Sequence, residues 1–288
     1  MFERTTKHRN NERYTAQRFY SRDVFVHPQV EKQLSFLAEG ALAAWPWPMP
    51  ARAALLRTRL VAHRGQRDDQ QVKENTFAAF DPVVDAGVAA IEFDVRFTRD
   101  EEPVVVHDAD LLRVFGHNVS VADLSFAKLA LMVPQLPHLE ALIARYAGRA
   151  HLMIELKTRG SQNAERRLAD VLGLLTPVAD YHLLSLDTDL FAALPDLPGD
   201  VRLPVSKTNT QAMLDWSLAH PSAGLAGAQF FLRQSHIQQL RDSGRAIGSG
   251  FVERRGTLWR EIGRGAEWIF SNNPVPLQRM LDEAIGCA

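Results

Sequence analysis

Residues 89–96 read Ala-Ala-Ile-Glu-Phe-Asp-Val-Arg, an apolar run of strand length that contains two carboxylates, Glu92 and Asp94. A segment with helical periodicity, 76–86, precedes this run, with Asn75 predicted as its N-cap. Apolar runs and helix-period segments continue to alternate from residue 60 onward. Such alternation is typical of a mostly parallel sheet covered by helices. The sequence therefore predicts an α/β fold with two acidic side chains on one of its strands.

The number of apolar runs decides between two folds of this class. Eight predicted strands within about 229 residues favour a (β/α)8 TIM barrel, which typically needs about 250 residues. A doubly wound open sheet is the alternative, but no Gly-x-Gly-x-x-Gly motif follows the first strand. The apolar fragment 229–232 stays unassigned. The predicted strands lie near residues 61, 92, 105, 154, 183, 203, 249 and 269.

Charge is distributed unevenly and predicts a boundary near residue 59. Residues 1–59 contain ten Lys or Arg and five Asp or Glu, whereas residues 60–288 contain 23 and 29. The segment Trp-Pro-Trp-Pro-Met-Pro at 45–50 lies just before this boundary, and its prolines disfavour a helix. We predict a mainly helical N-terminal extension, 1–59, and a barrel domain, 60–288. The extension is a helical cap, an oligomer contact or a basic, aromatic element that touches a membrane surface.

Composition excludes several classes of protein. The chain carries 33 Lys or Arg against 34 Asp or Glu, a balance that gives no reason to expect a nucleic-acid partner. One cysteine, Cys287, allows neither an intrachain disulfide nor a multi-cysteine zinc site. The first residues lack the apolar core of a signal peptide, and no run approaches the roughly 18 apolar residues of a membrane span. We expect a cytoplasmic protein that acts on a small-molecule substrate.

Carboxylates follow two of the predicted strands at spacings that give them a common face. Side chains at i and i+2 of a strand point to the same side, so Glu92 lies beside Asp94 and Glu155 beside Lys157. In a barrel the carboxyl ends of the strands form the mouth, where Glu92, Asp94 and Glu155 would converge. Three unpaired carboxylates would repel one another unless a cation joins them. Oxygen ligands favour Mg²⁺, Ca²⁺ or Mn²⁺ over zinc.

Basic and histidine side chains are predicted at the same mouth. Arg64 and Lys157 would supply positive charge for a phosphate next to the metal. His63 and His107, at the ends of two other predicted strands, could divide the work of a base and an acid. Each residue alone is more typical of a surface pair or a structural histidine. An outward-facing position on an inner barrel strand would meet apolar helices, however, so the mouth is the better location for them together.

Five short motifs, taken together in their order along the chain, resemble the glycerophosphodiester phosphodiesterase family. Stretches 98–103, 136–140 and 265–274 also resemble connecting segments of that family, and the resemblance covers residues 60 to about 282. The motifs are His-Arg-Gly at 63–65, Glu-Asn-Thr at 74–76, Ile-Glu-Phe-Asp-Val at 91–95, Val-Val-Val-His-Asp at 104–108 and Glu-Leu-Lys at 155–157.

The resemblance implies a TIM barrel that uses a divalent cation to hydrolyse glycerophosphodiesters to an alcohol and glycerol 3-phosphate. By the same resemblance, Glu92, Asp94 and Glu155 would be the metal ligands, and His63 and His107 the catalytic pair, with His107 as the acid. The same resemblance makes Arg64, Lys157 and Glu74 substrate-binding side chains and places Phe251 near an aromatic position of the family. Ser185 is a further candidate because it lies near the end of the fifth predicted strand. A lysophospholipase D or sphingomyelinase D-like activity and a non-catalytic phosphodiester-binding barrel are the alternatives.

The chain departs from the family pattern in three places. The segment between His107 and Pro137 is short. Residues 246–253 read Ala-Ile-Gly-Ser-Gly-Phe-Val-Glu where the family has Trp-Thr-Val-Asn, and residues 271–274 read Ser-Asn-Asn-Pro where it has Thr-Asp-x-Pro. These differences spare the predicted ligands and histidines, but they leave the recognition of glycerol open.

Overall fold

The computed structural model describes residue 37 and residues 39–286, and residues 39–286 belong to one compact unit that begins at Glu39. Most of the predicted N-terminal extension, together with Cys287, lies outside the described residues, so the role of the extension and the boundary at residue 59 stay predictions. Of the remaining extension, residues 39–44 are helical. No helix in the described part of the chain is long and apolar enough to cross a bilayer.

Eleven strands are present in the described residues. They are β1 (Arg59–His63), β2 (Ala90–Phe97), β3 (Pro103–Val105), β4 (Asp110–Leu111), β5 (His117–Ser120), β6 (His151–Leu156), β7 (Tyr181–Ser185), β8 (Arg202–Ser206), β9 (Gly224–Ala228), β10 (Ala246–Gly250) and β11 (Trp268–Ser271).

Besides the helical residues 39–44, the described part of the chain contains α-helices that mostly follow barrel strands. They are α1 (Arg52–Arg57), α2 (Phe77–Asp85), α3 (Leu112–Phe115), α4 (Phe126–Met132), α5 (Leu139–Tyr146), α6 (Gln162–Leu172), α7 (Thr210–Ala219), α8 (Gln234–Asp242), α9 (Arg255–Arg264) and α10 (Pro274–Ile285). Three 3₁₀ helices cover Val121–Asp123, Thr188–Ala193 and Gly199–Val201.

Eight parallel strands close into a barrel. The hydrogen-bonded order runs from β2 through β6, β7, β8, β9, β10 and β11 to β1. Strand β1 pairs with β11 on one side and with β2 on the other, which closes the sheet. The predicted (β/α)8 TIM barrel is therefore confirmed. The doubly wound alternative is wrong, because an open sheet would leave two unpaired edges.

The strand predicted near residue 105 is not one of the eight barrel strands. Strand β3 pairs antiparallel with β2, with Val105 opposite Val95. A tight turn reverses the chain here: Thr98 N donates to the Glu102 carbonyl oxygen at 3.0 Å. A parallel crossover needs a dozen or more residues, and this connection is far too short for one.

The remaining barrel strand is β9, Gly224–Ala228, which the sequence analysis missed. Its sequence, Gly-Leu-Ala-Gly-Ala, lacks the β-branched and aromatic residues that mark strands. Small residues suit this place because the neighbouring strand approaches closely. A Cβ atom added at Gly224 would overlap the Ala246 carbonyl oxygen. The unassigned fragment 229–232 follows β9 in the loop before α8.

Two apolar layers fix the barrel. The larger layer fills the space between the strands and the surrounding helices. The smaller one lies on the inward face of the strands and plugs the barrel interior. Its buried members are Val61, Ala90, Met153, Leu184, Leu203, Ala226, Trp268 and Phe270. A filled interior leaves the carboxyl ends of the strands as the place where polar side chains can gather.

Candidate active site

Strand register brings the three predicted carboxylates together. His63 on β1 lies opposite Glu92 on β2, and two residues further Asp94 lies opposite Glu155 on β6. Glu92, Asp94 and Glu155 are buried, and one carboxylate oxygen from each lies within 4.8 Å of the others. The cluster therefore follows directly from the parallel pairing of β2, which carries Glu92 and Asp94, with β6, which carries Glu155.

The three carboxylates differ in their electrostatic surroundings. Burial raises the pKa of Glu92 well above its usual value, and the charges of Asp94 and Glu155 add to this effect. Burial also raises the pKa of Glu155. For Asp94, burial acts in the same direction, but Arg64 and Lys157 outweigh it and hold the pKa well below its usual range. Asp94 is thus the firmly ionised member of the cluster.

Two cations flank these acids, as the sequence predicted. Lys157 Nζ lies 2.6 Å from Glu155 Oε1 and 3.1 Å from Asp94 Oδ1. Arg64 Nε lies 3.1 Å from Asp94 Oδ2. Burial opposes a charge on Lys157, yet Asp94 and Glu155 raise its pKa. Lys157 and Arg64 are therefore positive groups at a site where a phosphate could be held.

Asn75 contributes to the cluster rather than capping a helix, so its predicted role is wrong. The N-cap of α2 is Thr76, whose side-chain oxygen accepts a hydrogen bond from Ala79 N. Asn75 Nδ2 donates to Asp94 Oδ2 at 2.8 Å. Asn75 has a φ of 60°, a left-handed conformation that asparagine adopts more readily than most residues. That conformation turns its amide towards the barrel mouth.

Glu74 organises the arginines around the site. Its Oε1 accepts hydrogen bonds from Arg64 Nη1 at 3.2 Å and from Arg113 Nη2 at 2.6 Å. Arg67 Nε lies 3.6 Å from its Oε2. Burial raises the pKa of Glu74, but the three arginines outweigh this effect and lower it. An ionised Glu74 thus holds three guanidinium groups next to the carboxylate cluster.

His63 is held by the last barrel strand. Its Nδ1 lies 2.8 Å from Asn272 Oδ1, and its Nε2 lies 3.9 Å from Glu92 Oε2. Arg67 Nη2, which can only donate, lies 2.7 Å from the same Asn272 oxygen. The oxygen is therefore an acceptor, so His63 carries its proton on Nδ1 and presents a bare Nε2 to the site. Burial, aided by Arg64 and Arg67, lowers its pKa to about 3.

His107 reaches the mouth from the short hairpin rather than from a barrel strand. Val106 N donates to the Asp94 carbonyl oxygen at 2.9 Å, which returns the chain to the site after β3. His107 Nδ1 lies 2.6 Å from Asp108 Oδ1. Burial lowers the pKa of His107, while Asp94 and Asp108 counteract the effect. His107 therefore has an acidic partner where His63 has an amide.

The two remaining predicted contacts occupy different surroundings. Phe251 is 43% exposed, and its ring lies 5.5 Å from that of His63 in an edge-to-face arrangement. Ser185 is fully buried at the end of β7. Its hydroxyl donates to the Leu156 carbonyl oxygen and accepts from Asp187 N. Phe251 thus borders open space at the mouth, whereas Ser185 is engaged with the backbone and its substrate role stays a prediction.

The segment of the chain that contains most of this site matches a known protein family. Residues 63–174 match the model of the glycerophosphoryl diester phosphodiesterase family. They contain the three carboxylates, both cations and both histidines. This match relates residues 63–174, less than half of the chain, to the glycerophosphoryl diester phosphodiesterase family. The resemblance noted in the sequence is therefore confirmed.

Curated relatives of this family match parts of the chain. YhdW of Bacillus subtilis, by its name a glycerophosphodiester phosphodiesterase, is 34% identical over 126 residues, which cover 40% of this chain and 51% of YhdW. Lysophospholipase D GDPD1 of Rattus norvegicus is 43% identical over 72 residues, which cover 25% of this chain and 22% of that protein. The chain thus spans about half of the first relative and about a fifth of the second.

Solved structures from the family have the same fold. The Oleispira antarctica phosphodiesterase, solved with the product sn-glycerol-3-phosphate, superposes with a TM-score of 0.67 at 21% identity and covers 78% of this chain and 96% of its own. The Thermotoga maritima glycerophosphodiester phosphodiesterase superposes with a TM-score of 0.66 at 20% identity, and the match covers 77% of this chain and 98% of the Thermotoga chain. At such identities the likeness extends to the barrel alone.

The cluster of Glu92, Asp94 and Glu155 has the chemistry of a site for a divalent cation. Glu92 Oε1 is buried and accepts no hydrogen bond from any described residue. It belongs to a set of carboxylate oxygens, the donors that Mg²⁺, Ca²⁺ and Mn²⁺ prefer. The buried acidic cluster can therefore hold a divalent cation.

Several residues of the site escaped the sequence analysis. Arg67 and Arg113 lie in loop and hairpin segments that carry no periodic pattern, so nothing in the sequence marks them. Asn272 occupies the acidic position of the family's Thr-Asp-x-Pro motif, and that correspondence was the available signal. Its partner Glu253, like Asn272, lies on the carboxyl side of a barrel strand, where its position alone was a clue.

Proposed function

We propose that this protein hydrolyses glycerophosphodiesters to an alcohol and glycerol 3-phosphate with the help of a divalent cation. The observation that carries the proposal is the convergence, within the family-matched segment, of Glu92, Asp94 and Glu155 with two cations and two histidines at one barrel mouth. The metal would be held by these three carboxylates, with Mg²⁺ or Ca²⁺ preferred and Mn²⁺ as a third candidate.

The cations account for phosphate binding. Arg64 and Lys157 present guanidinium and ammonium donors at the edge of the acidic cluster. Charge-assisted hydrogen bonds from such groups hold phosphate oxygens and offset the charge that develops on them during the reaction. A divalent cation bound at the cluster supplies further positive charge to the same oxygens.

The histidines divide the proton transfers. His63 accepts the proton of the nucleophile, a water or a neighbouring glycerol hydroxyl, because its Nε2 is bare and Asn272 fixes the proton on Nδ1. His107 delivers a proton to the leaving alkoxide, because the carboxylate of Asp108 stabilises its protonated form. Both roles use the bond that each ring makes through Nδ1.

The test is hydrolysis of glycerophosphocholine and glycerophosphoethanolamine, followed by coupled detection of glycerol 3-phosphate. We expect turnover with Mg²⁺, Ca²⁺ or Mn²⁺, none with chelator, and a loss of at least a hundredfold in Glu92→Ala. Glu140→Gln, which removes an exposed carboxylate on α5, is the matched control and should retain full activity. Bound metal without turnover on any diester would favour the phosphodiester-binding barrel instead.

A lysophospholipase D-like activity is the second candidate, and Phe251 is the observation that favours it. Its exposed ring borders His63, where the alkyl chain of a lysolipid could pack. A comparison of lysophosphatidylcholine with glycerophosphocholine decides between the two substrates. Lysolipid preference that falls tenfold in Phe251→Ala would favour the second candidate, whereas equal losses on both substrates would favour the first.

A further inference from the structure

Residues 39–47, here called the strap, lie against the start of α9 and the loop 251–254 before it. Glu39 is only 3% exposed. Its Oε1 accepts hydrogen bonds from Thr257 Oγ1 at 2.6 Å and from Glu253 N at 3.2 Å, and its Oε2 lies 3.1 Å from Arg254 Nε. A buried carboxylate of the strap therefore fixes the backbone of this loop at Glu253.

Close backbone contacts seat the strap. A Cβ atom added at Gly256 would overlap the Ala43 carbonyl oxygen, and one added at Gly40 would lie 2.9 Å from Arg254 Nη1. Further along, the Arg260 guanidinium lies 5.8 Å from the Trp47 ring centroid. The strap is thus fitted to α9 at a separation that larger residues would prevent.

The loop that Glu39 fixes leads directly to His63. Glu253 Oε1 accepts hydrogen bonds from Asn272 N at 3.0 Å and from Asn272 Nδ2 at 2.8 Å. Glu253 Oε2 accepts from Ser271 Oγ at 3.2 Å. Asn272 Oδ1 in turn accepts a hydrogen bond from His63 Nδ1. Each of these bonds sets the orientation of the next group.

Phe251, in the same loop, adds a second contact. Its ring meets the edge of His63 at 5.5 Å, and it has a φ of 62°, a conformation that costs a bulky residue free energy. Surrounding structure must hold the loop in that conformation, and the bond from Glu253 N to Glu39 is two residues away. Both the ring contact and the hydrogen-bond series therefore depend on the strap.

We propose that Glu39 is a positioning residue for His63, and this proposal rests on the proposed function for its kinetic consequence. By fixing the loop at Glu253, Glu39 orients the Asn272 amide so that its oxygen accepts a hydrogen bond from His63 Nδ1. The family-matched segment, 63–174, contains neither the strap nor the loop. The orientation of the proposed base thus depends on a part of the chain outside that segment.

The kinetic test compares Glu39→Ala with Glu39→Gln on a diester that the wild type hydrolyses. Glu39→Ala removes both acceptor oxygens, and we expect kcat to fall about tenfold, close to 1.4 kcal/mol in activation free energy, with KM within twofold. Glu39→Gln keeps one side-chain oxygen as an acceptor and should retain at least half of kcat. If Glu39→Ala fails to fold, Glu39→Asp, which withdraws the carboxylate by one methylene, should give an intermediate loss.

Glu261→Gln is the matched structural control. Glu261 is fully buried on α9, where it accepts hydrogen bonds from Ser249 Oγ and Arg264 Nη1, and it makes none of the hydrogen bonds that lead from Glu39 to His63. Its substitution should lower the melting temperature as Glu39→Ala does, yet leave kcat unchanged. A parallel fall of kcat and stability in both variants would overturn the proposal.

A second readout needs no turnover. In protein labelled with ¹⁵N-histidine, and with His63 assigned from the spectrum of His63→Gln, the wild type should carry its neutral proton on Nδ1. Glu39→Ala should show a mixture of both tautomers. If His63 keeps the same tautomer in Glu39→Ala, the positioning role of Glu39 is wrong, whatever the activity of the variant. A wild type inactive on every diester would instead overturn the proposed function, and the tautomer measurement would still decide about Glu39.

Discussion

Glu92 differs from the other two carboxylates of the cluster because, among the described residues, no Lys or Arg side chain lies within ion-pair distance of it, although its Oε2 accepts a hydrogen bond from Arg64 N at 3.2 Å. Asp94 has Arg64, Lys157 and Asn75 as partners, and Glu155 has Lys157. Glu92 has one oxygen with no hydrogen-bond donor among the described residues, and its pKa is raised. The site is thus least satisfied at the position where a divalent cation would contribute most.

Glu92→Gln should therefore have opposite effects on stability and on activity. In the presence of a chelator, the free energy of unfolding should rise by about 1 kcal/mol, because a buried and repelled charge is removed. Saturating Mn²⁺ at a hundred times its dissociation constant should stabilise the wild type by about 2.7 kcal/mol and leave the variant unchanged. Urea unfolding with and without metal measures both effects. Equal stabilisation of the two proteins by Mn²⁺ would contradict the ligand assignment.

Asp108 tests the assignment of His107 as the acid. Asp108→Asn removes the charge that stabilises the protonated imidazole 2.6 Å away. The pKa of the acid should fall, so the loss of kcat with rising pH should begin at lower pH, and kcat at pH 7 should fall about tenfold. A pH profile of kcat measures this shift, with the exposed neighbour substitution Asp110→Asn as control. A shift of the low-pH limb alone would reverse the roles of the two histidines.

Strand β9 shows at the scale of one element how packing overrides propensity. Gly224, Gly227 and Gly248 all lie where a Cβ atom would meet a neighbouring strand or side chain. Alanine and glycine have low intrinsic preference for strands, yet they permit the close approach that this side of the barrel has. The element is therefore specified by its neighbours rather than by its own residues.

Two glycine substitutions separate these effects. Gly224→Ala should lower the free energy of unfolding by about 3 kcal/mol, because its Cβ atom would overlap the Ala246 carbonyl oxygen. Gly263→Ala, in α9, meets no atom within 4 Å and should raise it by about 0.5–1 kcal/mol through helix propensity. Urea unfolding of both variants provides the comparison. Equal effects of the two substitutions would refute the packing argument.

A pair of histidines, His182 buried and His151 partly buried, lies at the amino-terminal end of the barrel, away from the mouth. His151 Nε2 and His182 Nδ1 are 2.8 Å apart, and the Trp268 ring centroid lies 5.1 Å from that of His151. Burial lowers the pKa of each histidine to about 4, with Arg59 contributing. The whole fold thus keeps two imidazoles neutral that would accept protons near pH 6 in the unfolded chain.

This pair predicts how the stability of the molecule depends on pH. Between about pH 6.5 and pH 4 the unfolded chain binds more protons than the folded one, so stability falls as the pH is lowered through this window. One such histidine contributes a loss of about 1–2 kcal/mol between pH 7 and pH 5. His182→Gln should reduce this slope, and urea unfolding at pH 7 and pH 5 measures it. An identical slope in wild type and variant would contradict the prediction.

How far the sequence predicts this molecule depends on the range of the interactions involved. Glu92, Asp94 and Glu155 could be placed because strand period and parallel pairing are short-range rules. The antiparallel direction of β3 could not be predicted from its apolar run, because the five-residue turn before it, 98–102, reverses the chain. Glu39 could not be found at all: its partner Thr257 lies 218 residues away in sequence. Contacts of that separation exist only in the closed barrel.

Closure of the barrel between its first and last strands also has a consequence for the order of events during synthesis. The ring of His63, the proposed base, is translated early, and the Asn272 amide that contacts it follows 209 residues later. A nascent chain still attached to the ribosome therefore holds the acids, the cations and both histidines well before the base can be aligned. Catalytic competence should thus emerge abruptly, when the final strand leaves the exit tunnel, rather than growing with chain length.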